Sequence, residues 1–424
     1  MSGKTDNSID QPGPVVRKLG EGTYGLIIAN PRIPSEGESY NELSGSISAN
    51  NQVSKIIKDK DDIQKLNGII DMINTRFSPS NLAQLQSHIC IPTRPQLINW
   101  NEIYSNDVDA KFLHAQKINK RKHKWQYIME RGTVDLSIEL RELKTINQLK
   151  HFLKGFGNII TGIAELHMSG LVHIDLKLTN MIVSWDGRYK LIDLDEISDV
   201  MTLPTDNRYF EKIYNNLYYP FYSLSGIFLY SFTRSSIYTS KVWDVNYLQA
   251  KIKSGFDKGY YKYFKDITKG ALGLLNDTEL NRIILYHYES DAAMQEYLTI
   301  FKARISTLGN NLSAYRELLL FIDRYALGIN LLIILNKYYL LTMQLHDSIK
   351  TNHPKLTVPD ECKCDYIEQS LVLLIKMCCN PDNYGVITTD VIHNEYNKFI
   401  TQLFQKYPFK FIIKLLKGIS IRRQ

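Results

Sequence analysis

The stretch LVHIDLKLTN, residues 171–180, places His173, Asp175, Lys177 and Asn180 among leucine, valine and isoleucine. Two interpretations compete for it. In the first, it is a core segment whose polar groups are satisfied by hydrogen bonds. In the second, it is a catalytic loop whose apolar residues anchor it in the core while its polar residues do chemistry. The rest of the sequence decides between them.

Composition sets the limits. The chain has 424 residues, of which 44% are hydrophobic and 22% charged, as in an ordinary globular protein. That length is enough for two or three lobes with cores of their own. The net charge of +7 permits an anionic partner, but no specific nucleic-acid motif accompanies it.

The number of cysteines indicates the redox state of the cellular compartment. There are five, an odd number, and no secretory signal is evident, which favours a reducing compartment and therefore the cytoplasm. Cys362 and Cys364 form a C-x-C pair near His353, so a zinc site is conceivable. Their spacing fits no common zinc finger.

Two segments suggest particular structural states. Residues 1–13 are polar and are expected to form a disordered N-terminal tail. Residues 325–343 are the most apolar run, and Asn330 and Lys337 interrupt it. The interruptions favour a buried helix, so no membrane span is expected.

The order of predicted elements indicates an α+β fold. Short β-branched runs over 15–58 predict strands, and a helix is expected near 60–75. Further strands are expected at 88–92 and 125–130, and mainly helices from about 138 onward. A small strand-rich lobe followed by a large helical lobe is a natural arrangement for binding a nucleotide between them.

Three glycines lie between the first two predicted strands. Gly20, Gly22 and Gly25 form a G-x-G-x-x-G pattern. Glycine has no side chain to keep the backbone away from a phosphate, although glycines also make ordinary hairpins. A strand follows the loop here, whereas a dinucleotide-binding fold would begin a helix.

A lysine in the next predicted strand is unusual. Val53, Lys55 and Ile57 share one face of the strand. Lysine is rarely buried without a partner, so a phosphate-binding role would explain Lys55. The alternative is a lysine that extends along a sheet edge to water. Lys58 is the second candidate for the phosphate, and it points to the opposite face.

The opening stretch reads H-x-D-x-K-x-x-N, and Asp193 follows thirteen residues after Asn180. Phosphoryl transfer needs a carboxylate that orients the attacking hydroxyl and metal ions that bridge the phosphates. Asp175 suits the first role. Asn180 and Asp193 offer the hard oxygen ligands that magnesium prefers. Lys177 can neutralise the transferred group, and a structural role is expected for His173.

These motifs together resemble the eukaryotic-type protein kinases. That family carries a Gly-rich loop, a lysine in its third strand, H-R-D-L-x-x-x-N and D-F-G, and the counterparts occur here in the same order. The resemblance implies ATP and Mg²⁺ (or Mn²⁺) as cofactors and protein substrates as acceptors. Lys177 is typical of the Ser/Thr-specific members.

Other positions extend the resemblance. Met129 corresponds to the gatekeeper, and the hinge that binds the adenine corresponds to Glu130 to Gly132. Asp135 is placed to reach the ribose. Asp323 corresponds to the aspartate of the central C-lobe helix that braces the catalytic loop.

Several positions depart from the family pattern. Ile174 replaces the arginine that usually receives an activation-loop phosphate. Leu194 and Asp195 replace the phenylalanine and glycine of D-F-G. No glutamate stands where helix C should supply a partner for the strand-three lysine, and Asp71 is the nearest substitute.

A buried ion pair of the family is missing at both ends. Residues 219–221 resemble its Ala-Pro-Glu motif without the glutamate, and Val386 stands near the position of the partner arginine. Losing both charges together is physically coherent, because losing one alone would leave an unpaired charge in the core.

The resemblance gives a domain organisation: a tail at 1–13, an N-lobe at 14–130 and a C-lobe at 131–424. A helical insertion at about 223–320 has no counterpart in the family. It would either recruit a partner protein or pack as a buttress on the C-lobe. Such divergence resembles kinases of large cytoplasmic DNA viruses, which would place the chain in host cytoplasm or the virion.

Two other functions stay open. Small-molecule phosphotransferases of the aminoglycoside or choline kinase type share H-x-D-x-x-x-x-N and often a second acid, as Asp195 would be. Lys177 favours a protein kinase over these. A pseudokinase acting as a binding module or scaffold would explain the missing glutamate and the altered D-F-G motif.

Overall fold

The computed structural model describes most of the chain. The described residues are 17–22, 25–29, 33–39, 42–43, 51–57, 60–118, 120–201, 221, 246, 250, 291–307, 311–352 and 365–406. They form strands and helices in the mixed α+β arrangement that the sequence predicts. The chain divides into two compact units, Met1–Thr133 with Val183–Gly187 and Val134–Ile182 with Arg188–Gln424.

The first unit is built on an antiparallel sheet with the order β1-β2-β3-β5-β4. Its strands are β1 (Arg17–Gly22), β2 (Gly25–Ala29), β3 (Gln52–Ile57), β4 (Gln96–Leu97) and β5 (Trp125–Glu130). Its helices are α1 (Lys60–Arg76), α2 (Pro79–Leu85), α3 (Trp100–Ser105) and α4 (Asp107–Ala115). The strands at β1, β2, β3 and β5 and the helix α1 confirm the sequence expectation.

The glycine pattern lies on a β-hairpin. Gly20 pairs with Ile27, and Gly22 pairs with Gly25, which leaves a two-residue connection between β1 and β2. The register shifts by a bulge between Lys18 and Gly20. A strand follows the glycines, as predicted, so this is not the start of a dinucleotide-binding helix.

Strand β3 is buried on both faces, because it separates two apolar clusters. Ile56 belongs to a cluster with Ile28 and Trp100. Ile57 belongs to another, which includes Leu66 of α1 and Tyr127 of β5. Lys55 follows the face of Ile57 and therefore lies on the side of the sheet that α1 covers.

The second unit is mainly helical. Its helices are α5 (Leu136–Glu142), α6 (Ile146–Met168), α7 (Asp291–Thr307), α8 (Asn311–Asn352), α9 (Asp365–Cys379) and α10 (Thr389–Lys406). The remaining strands are β6 (Gly132–Asp135), β7 (Leu171–Val172), β8 (Met181–Ser184), β9 (Tyr189–Leu191) and β10 (Ser198–Asp199), of which β6 and β8 each include residues of both units. Strands β6, β8 and β9 form one small sheet in the order β6-β8-β9, and β10 pairs antiparallel with β7.

Local signals fix both ends of α6. Thr145 and Gln148 form a capping box, in which each side chain satisfies a backbone N–H of the first turn. Gly170 follows the helix with φ +75°, a conformation that glycine adopts without a Cβ clash. The predicted stop at Gly170 is confirmed. The chain then enters β7 directly, so α6 sets where the candidate loop begins.

Helix α8 is the core of the second unit. Its length and composition would also suit a membrane span, but 94% of its most apolar window is buried inside the fold, in line with the predicted buried helix. Lys337, one of the residues that interrupt the apolar run, donates to the Arg141 carbonyl over 2.9 Å. That bond satisfies a carbonyl at the C-terminal end of α5.

Some expectations need correction or fall outside the described residues. Residues 88–92 do not form a strand; β4 lies further along the chain instead. The described part of the 223–320 segment is helical, but its expected end falls inside α8, which begins at Asn311. The N-terminal tail and the candidate zinc ligands, His353 and the C-x-C pair, lie outside the described residues.

Helices α8 and α9 approach closely at a glycine. A Cβ on Gly328 would lie 2.7 Å from the Cys378 Cβ and would overlap the Cys379 sulfur. Both cysteines are fully buried, and burial raises the pKa of the Cys378 thiol to about 12. The thiols therefore serve here as small apolar groups that fill the space beside Gly328.

We expect Gly328→Ala to destabilise the protein by about 1–3 kcal/mol, because the added methyl group overpacks the α8–α9 contact. Gly68→Ala is the matched control: it lies in the exposed part of α1, and a Cβ there meets nothing within 4 Å. The control should gain about 0.5–1 kcal/mol from helix propensity. Urea unfolding followed by circular dichroism measures both, and equal effects at the two sites would contradict the packing account.

Candidate active site

The loop between β7 and β8 carries the residues of the opening stretch. His173, Ile174 and Leu176 are at most 1% exposed, so they anchor the loop in the core. The side chains of Asp175 and Lys177 are 16% and 21% exposed to solvent. The apolar residues thus fix the loop, while the chemically capable side chains reach its surface.

One buried carboxylate holds this loop. Asp323, in the middle of α8, accepts the backbone N–H groups of His173 and Ile174, each over 2.7 Å. The His167 ring, at the end of α6, lies with its Nε2 3.0 Å from the same carboxylate. Asp323 is completely buried, and these three donors compensate its desolvation. The predicted bracing role of Asp323 is confirmed.

The bracing explains an unusual backbone conformation. Ile174 has φ +70°, in the left-handed region, which is a genuine outlier for a β-branched residue. Conformations of this kind persist only where the surroundings enforce them, and they concentrate at functional sites. The bond from the Ile174 N–H to Asp323 enforces it here, and the next residue along the chain is Asp175.

Asp175, Lys177 and Asn180 form a connected cluster. The Lys177 ammonium lies 2.7 Å from the Asp175 Oδ2, and the Asn180 amide nitrogen donates to the same oxygen over 2.9 Å. The Asn180 amide also donates to the Asp175 backbone carbonyl over 3.0 Å. Within the described structure no hydrogen bond occupies the Asp175 Oδ1, so it can accept a proton from a bound molecule.

Asp193 is connected to this cluster through the hydrogen bonds of the preceding residue, Ile192. The Ile192 N–H donates to the Asn180 carbonyl over 2.9 Å, and the Ile192 carbonyl lies 3.0 Å from the His173 Nε2. His173 therefore joins two segments of the site, in keeping with its expected structural role. The Asp193 backbone lies in the left-handed region, with φ +61°, as that of Ile174 does.

Leu194 and Glu196, which follow Asp193 after one and three residues, are both buried. Leu194 is 2% exposed and takes the packing role expected of it in place of phenylalanine. Glu196 is buried as well, so the alternative of a solvated turn at Asp195 and Glu196 is wrong for Glu196. The segment forms a single turn of 3₁₀ helix, which explains why its side chains do not all point outward.

Lys55 is the buried lysine of the first unit. It is 5% exposed, and its ammonium lies 5.5 Å from the centre of the Tyr127 ring. Burial of a cation beside an aromatic face is favourable but does not replace its hydration. Lys55 therefore differs from a lysine that extends to water at a sheet edge. Lys58 lies outside the described residues.

The expected partner of Lys55 is corrected. Asp71 is exposed and forms its ion pair with Arg94. The face of α1 that packs on β3 carries Ile63, Leu66 and Ile70. Asp71 follows Ile70 directly, and one residue is a 100° rotation on a helix, which carries its side chain off that face.

The predicted hinge begins at the end of β5. Met129 packs against the cluster of β3 and α1, as a residue facing the covered side of the sheet should. The Glu130 carboxylate accepts the Ser184 hydroxyl and has the Cys90 thiol 3.9 Å from its other oxygen. Gly132 begins β6 two residues later. The Glu130 side chain is thus held within the first unit.

Asp135 is the N-cap of α5. Its Oδ1 accepts the backbone N–H groups of Ser137 and Ile138, over 3.0 and 3.1 Å. This satisfies two of the free N–H groups at the helix start. The predicted ribose contact would use the other oxygen, so capping and ligand binding are compatible.

A buried ion pair occurs at positions other than those expected from the resemblance to protein kinases. Glu317 and Arg324, both on α8, bind each other, and Glu317 also accepts the Gly385 N–H over 3.0 Å. Arg324 is 2% exposed, whereas Val386 is 59% exposed. The turn after α9 is therefore tied to α8 by a glutamate. Of residues 219–221, only Phe221 is described, and it is buried.

Two polar residues that hold the site were not predicted from the sequence. His167 contacts Asp323 and places its Nδ1 by the Thr389 hydroxyl of α10. Asn330 donates to the Leu176 carbonyl of the loop. The signal for Asn330 was its position in an apolar run, seven residues or two turns after Asp323. No comparable signal marked His167.

The residues present fit a magnesium ion bound together with a phosphate. The Asn180 Nδ2 makes the bonds to Asp175, which leaves its Oδ1 as a hard oxygen ligand. Among the described residues, no group of three or more His, Cys, Asp and Glu side chains could hold a metal alone. Magnesium commonly uses one or two carboxylates plus substrate phosphates, so Asp193 and Asn180 are sufficient.

Comparison with known proteins adds no relative. Neither the models of known families nor the curated protein sequences contain a match to this chain.

We expect Asp323→Asn to lower the free energy of unfolding by about 1.5–3 kcal/mol, because a charged acceptor of several buried donors is lost. The asparagine also turns an amide N–H₂ group toward donors. Asp347→Asn, at an exposed position of the same helix, is the control and should stay within about 0.5 kcal/mol of the wild type. Urea unfolding tests this, and an Asp323→Asn protein as stable as the control would refute the bracing role.

Proposed function

We propose that this chain is an ATP-dependent protein kinase with a bilobal kinase-like fold. In this proposal it transfers the γ-phosphoryl group of Mg-ATP to serine or threonine hydroxyls of protein substrates. The observation that carries the proposal is the cluster of Asp175, Lys177 and Asn180 on a loop that Asp323 holds from the core.

Asp175 acts on the acceptor hydroxyl. Its Oδ2 is held by Lys177 and Asn180, and its Oδ1 accepts the hydroxyl proton and aims the oxygen at the γ-phosphorus. Such positioning is the main task of a kinase, because the transition state needs little covalent assistance from the protein. Lys177 adds a positive charge beside the transferred group.

Asn180 and Asp193 are the proposed magnesium ligands. The bound metal neutralises the charge that develops on the phosphate oxygens. The protein holds the two ligands through the Asn180–Ile192 backbone bond, which fixes Asn180 to the residue before Asp193. The Asp193 backbone is left-handed, with φ +61°, a conformation that aspartate adopts more readily than most residues.

Residues that precede α5 in the chain would bind the nucleotide. Lys55 is assigned to the phosphates, and Gly20, Gly22 and Gly25 to close backbone approach over them. Glu130 and Gly132 would contact the adenine through their backbone, and Asp135 would contact the ribose. The position of Lys55 supports its part, because the residue is buried in the sheet at 5% exposure instead of extending to water.

A second candidate is a nucleotide-binding pseudokinase or scaffold. The pairing of Asp71 with Arg94 favours it, since the expected substitute for the helix-C glutamate is engaged elsewhere. The two candidates share nucleotide binding and differ in phosphoryl transfer. Retention of Asp175, Asn180 and Asp193 in one connected region favours the active enzyme.

Asp175→Ala should reduce the rate of phosphoryl transfer by about 10²–10⁴-fold, because the proton acceptor is lost. Binding of ATP should stay close to wild type, since the phosphate ligands remain. Asp382→Ala, at an exposed position after α9, is the control. Radiolabelled ATP with casein as acceptor measures the rates, and wild-type turnover in the Asp175 variant would rule out the assignment.

Magnesium-dependent stabilisation by nucleotide tests the binding residues. ATP with magnesium should raise the Tm of the wild type more than that of Asp193→Asn, because the variant loses one charge at the metal. Lys55→Met should weaken the nucleotide effect more than Lys58→Met. A Tm shift that is the same in the wild type and the Asp193 variant would remove the metal role, and a larger effect at Lys58 would reverse the assignment of the lysine.

A further inference from the structure

Asn330 is a buried amide in the apolar part of α8. Its side chain is completely buried, and its Nδ2 donates to two carbonyls, that of Leu176 over 3.3 Å and that of Ala326 over 2.7 Å. Ala326 is one turn earlier in the same helix. Leu176 is the residue after Asp175, so Asn330 reaches directly into the candidate loop.

The other half of this amide has no partner. The Asn330 Oδ1 is buried without a hydrogen bond among the described residues. Exchanging the oxygen and nitrogen would not help, because an oxygen would then face two carbonyl oxygens. A buried polar atom without a partner costs stability, so the presence of this amide needs a reason other than packing.

Asn330 and Asp323 lie on the same side of α8. They are seven residues apart, which is two turns. Asp323 accepts the N–H groups of the two residues before Asp175, and Asn330 donates to the carbonyl of the residue after it. The two side chains therefore hold the backbone on both sides of Asp175, one as acceptor and one as donor.

We propose that Asn330 is a positioning residue for Asp175, and the catalytic meaning of this inference rests on the proposed kinase function. Asp323 fixes the entry to the loop and Asn330 fixes its exit. If Asp323 were the only residue holding the loop, the peptide after Asp175 could rotate about the left-handed backbone of Ile174. The Asp175 carboxylate would then point in several directions instead of one, and transfer is sensitive to displacements of this size.

The stability of the protein and the mobility of the loop should respond differently to substitution of Asn330. Leucine has the same branching as asparagine, with methyl groups in place of the amide oxygen and nitrogen, so Asn330→Leu removes the unpaired oxygen together with the bond to the loop. A residue retained for packing alone would give a protein with unaltered loop dynamics after this change. A positioning residue gives a stable protein with a looser loop.

The test compares Asn330→Leu with Asn336→Leu. Asn336 is also buried in α8, and within the described structure it makes no hydrogen bond to residues 171–180. Asn330→Met is a second variant, since methionine adapts to irregular space if leucine disturbs folding. Three measurements are made on the full chain: the Tm, hydrogen–deuterium exchange of peptides covering 171–180, and phosphoryl transfer from ATP to casein.

We expect Asn330→Leu to keep a Tm at or above that of the wild type. Exchange in 171–180 should become at least about 10-fold faster while other core peptides stay unchanged. The kcat should fall by about 10-fold to 100-fold, with the KM for ATP within about twofold of the wild type. Asn336→Leu should leave the exchange of the loop and the kcat as they are.

Two results would overturn the inference: unchanged loop exchange in both Asn330 variants, or faster exchange throughout the protein together with a lower Tm. The second result would mean that Asn330 has only a general structural role. The proposed function is judged separately. If the wild type transfers no phosphate but exchange rises selectively in the loop, Asn330 positions the loop and the kinase assignment fails.

Discussion

The carboxylate of Asp323 is the interaction on which the candidate site depends. It is buried in the centre of α8, and it accepts the N–H groups of His173 and Ile174. Without it, an isoleucine at φ +70° would relax toward an ordinary conformation, and Asp175 would turn with it. Because α8 is the core of the second unit, the geometry of the site is tied to the stability of that unit.

Much of the fold was predictable from local patterns in the sequence. Short β-branched runs over 15–58 predicted the strands of that region, and helical periodicity with a terminal glycine predicted α6. The loop of 171–180 was predictable because its chemistry lies within ten residues. Its role as a loop held by Asp323 was also predictable, since the resemblance supplied the partner 150 residues away.

Other features were beyond sequence reasoning, because they depend on which side of a helix faces its neighbour. Asp71 was the nearest acid in the sequence, yet packing of α1 directs it to Arg94. The buried Glu317–Arg324 pair was not predicted, because no sequence motif marks either residue. The periodicity of the 223–320 segment predicted helix but not its bounds, because α8 begins within it at Asn311.

The identity of the phosphorylated product tests the central claim most directly. The wild-type chain would be incubated with γ-labelled ATP, magnesium and casein, and the labelled protein hydrolysed for phosphoamino acid analysis. The account predicts label in phosphoserine and phosphothreonine, above the background given by the Asp175→Ala protein. Label that appears only in inorganic phosphate, or none above that background, would contradict it.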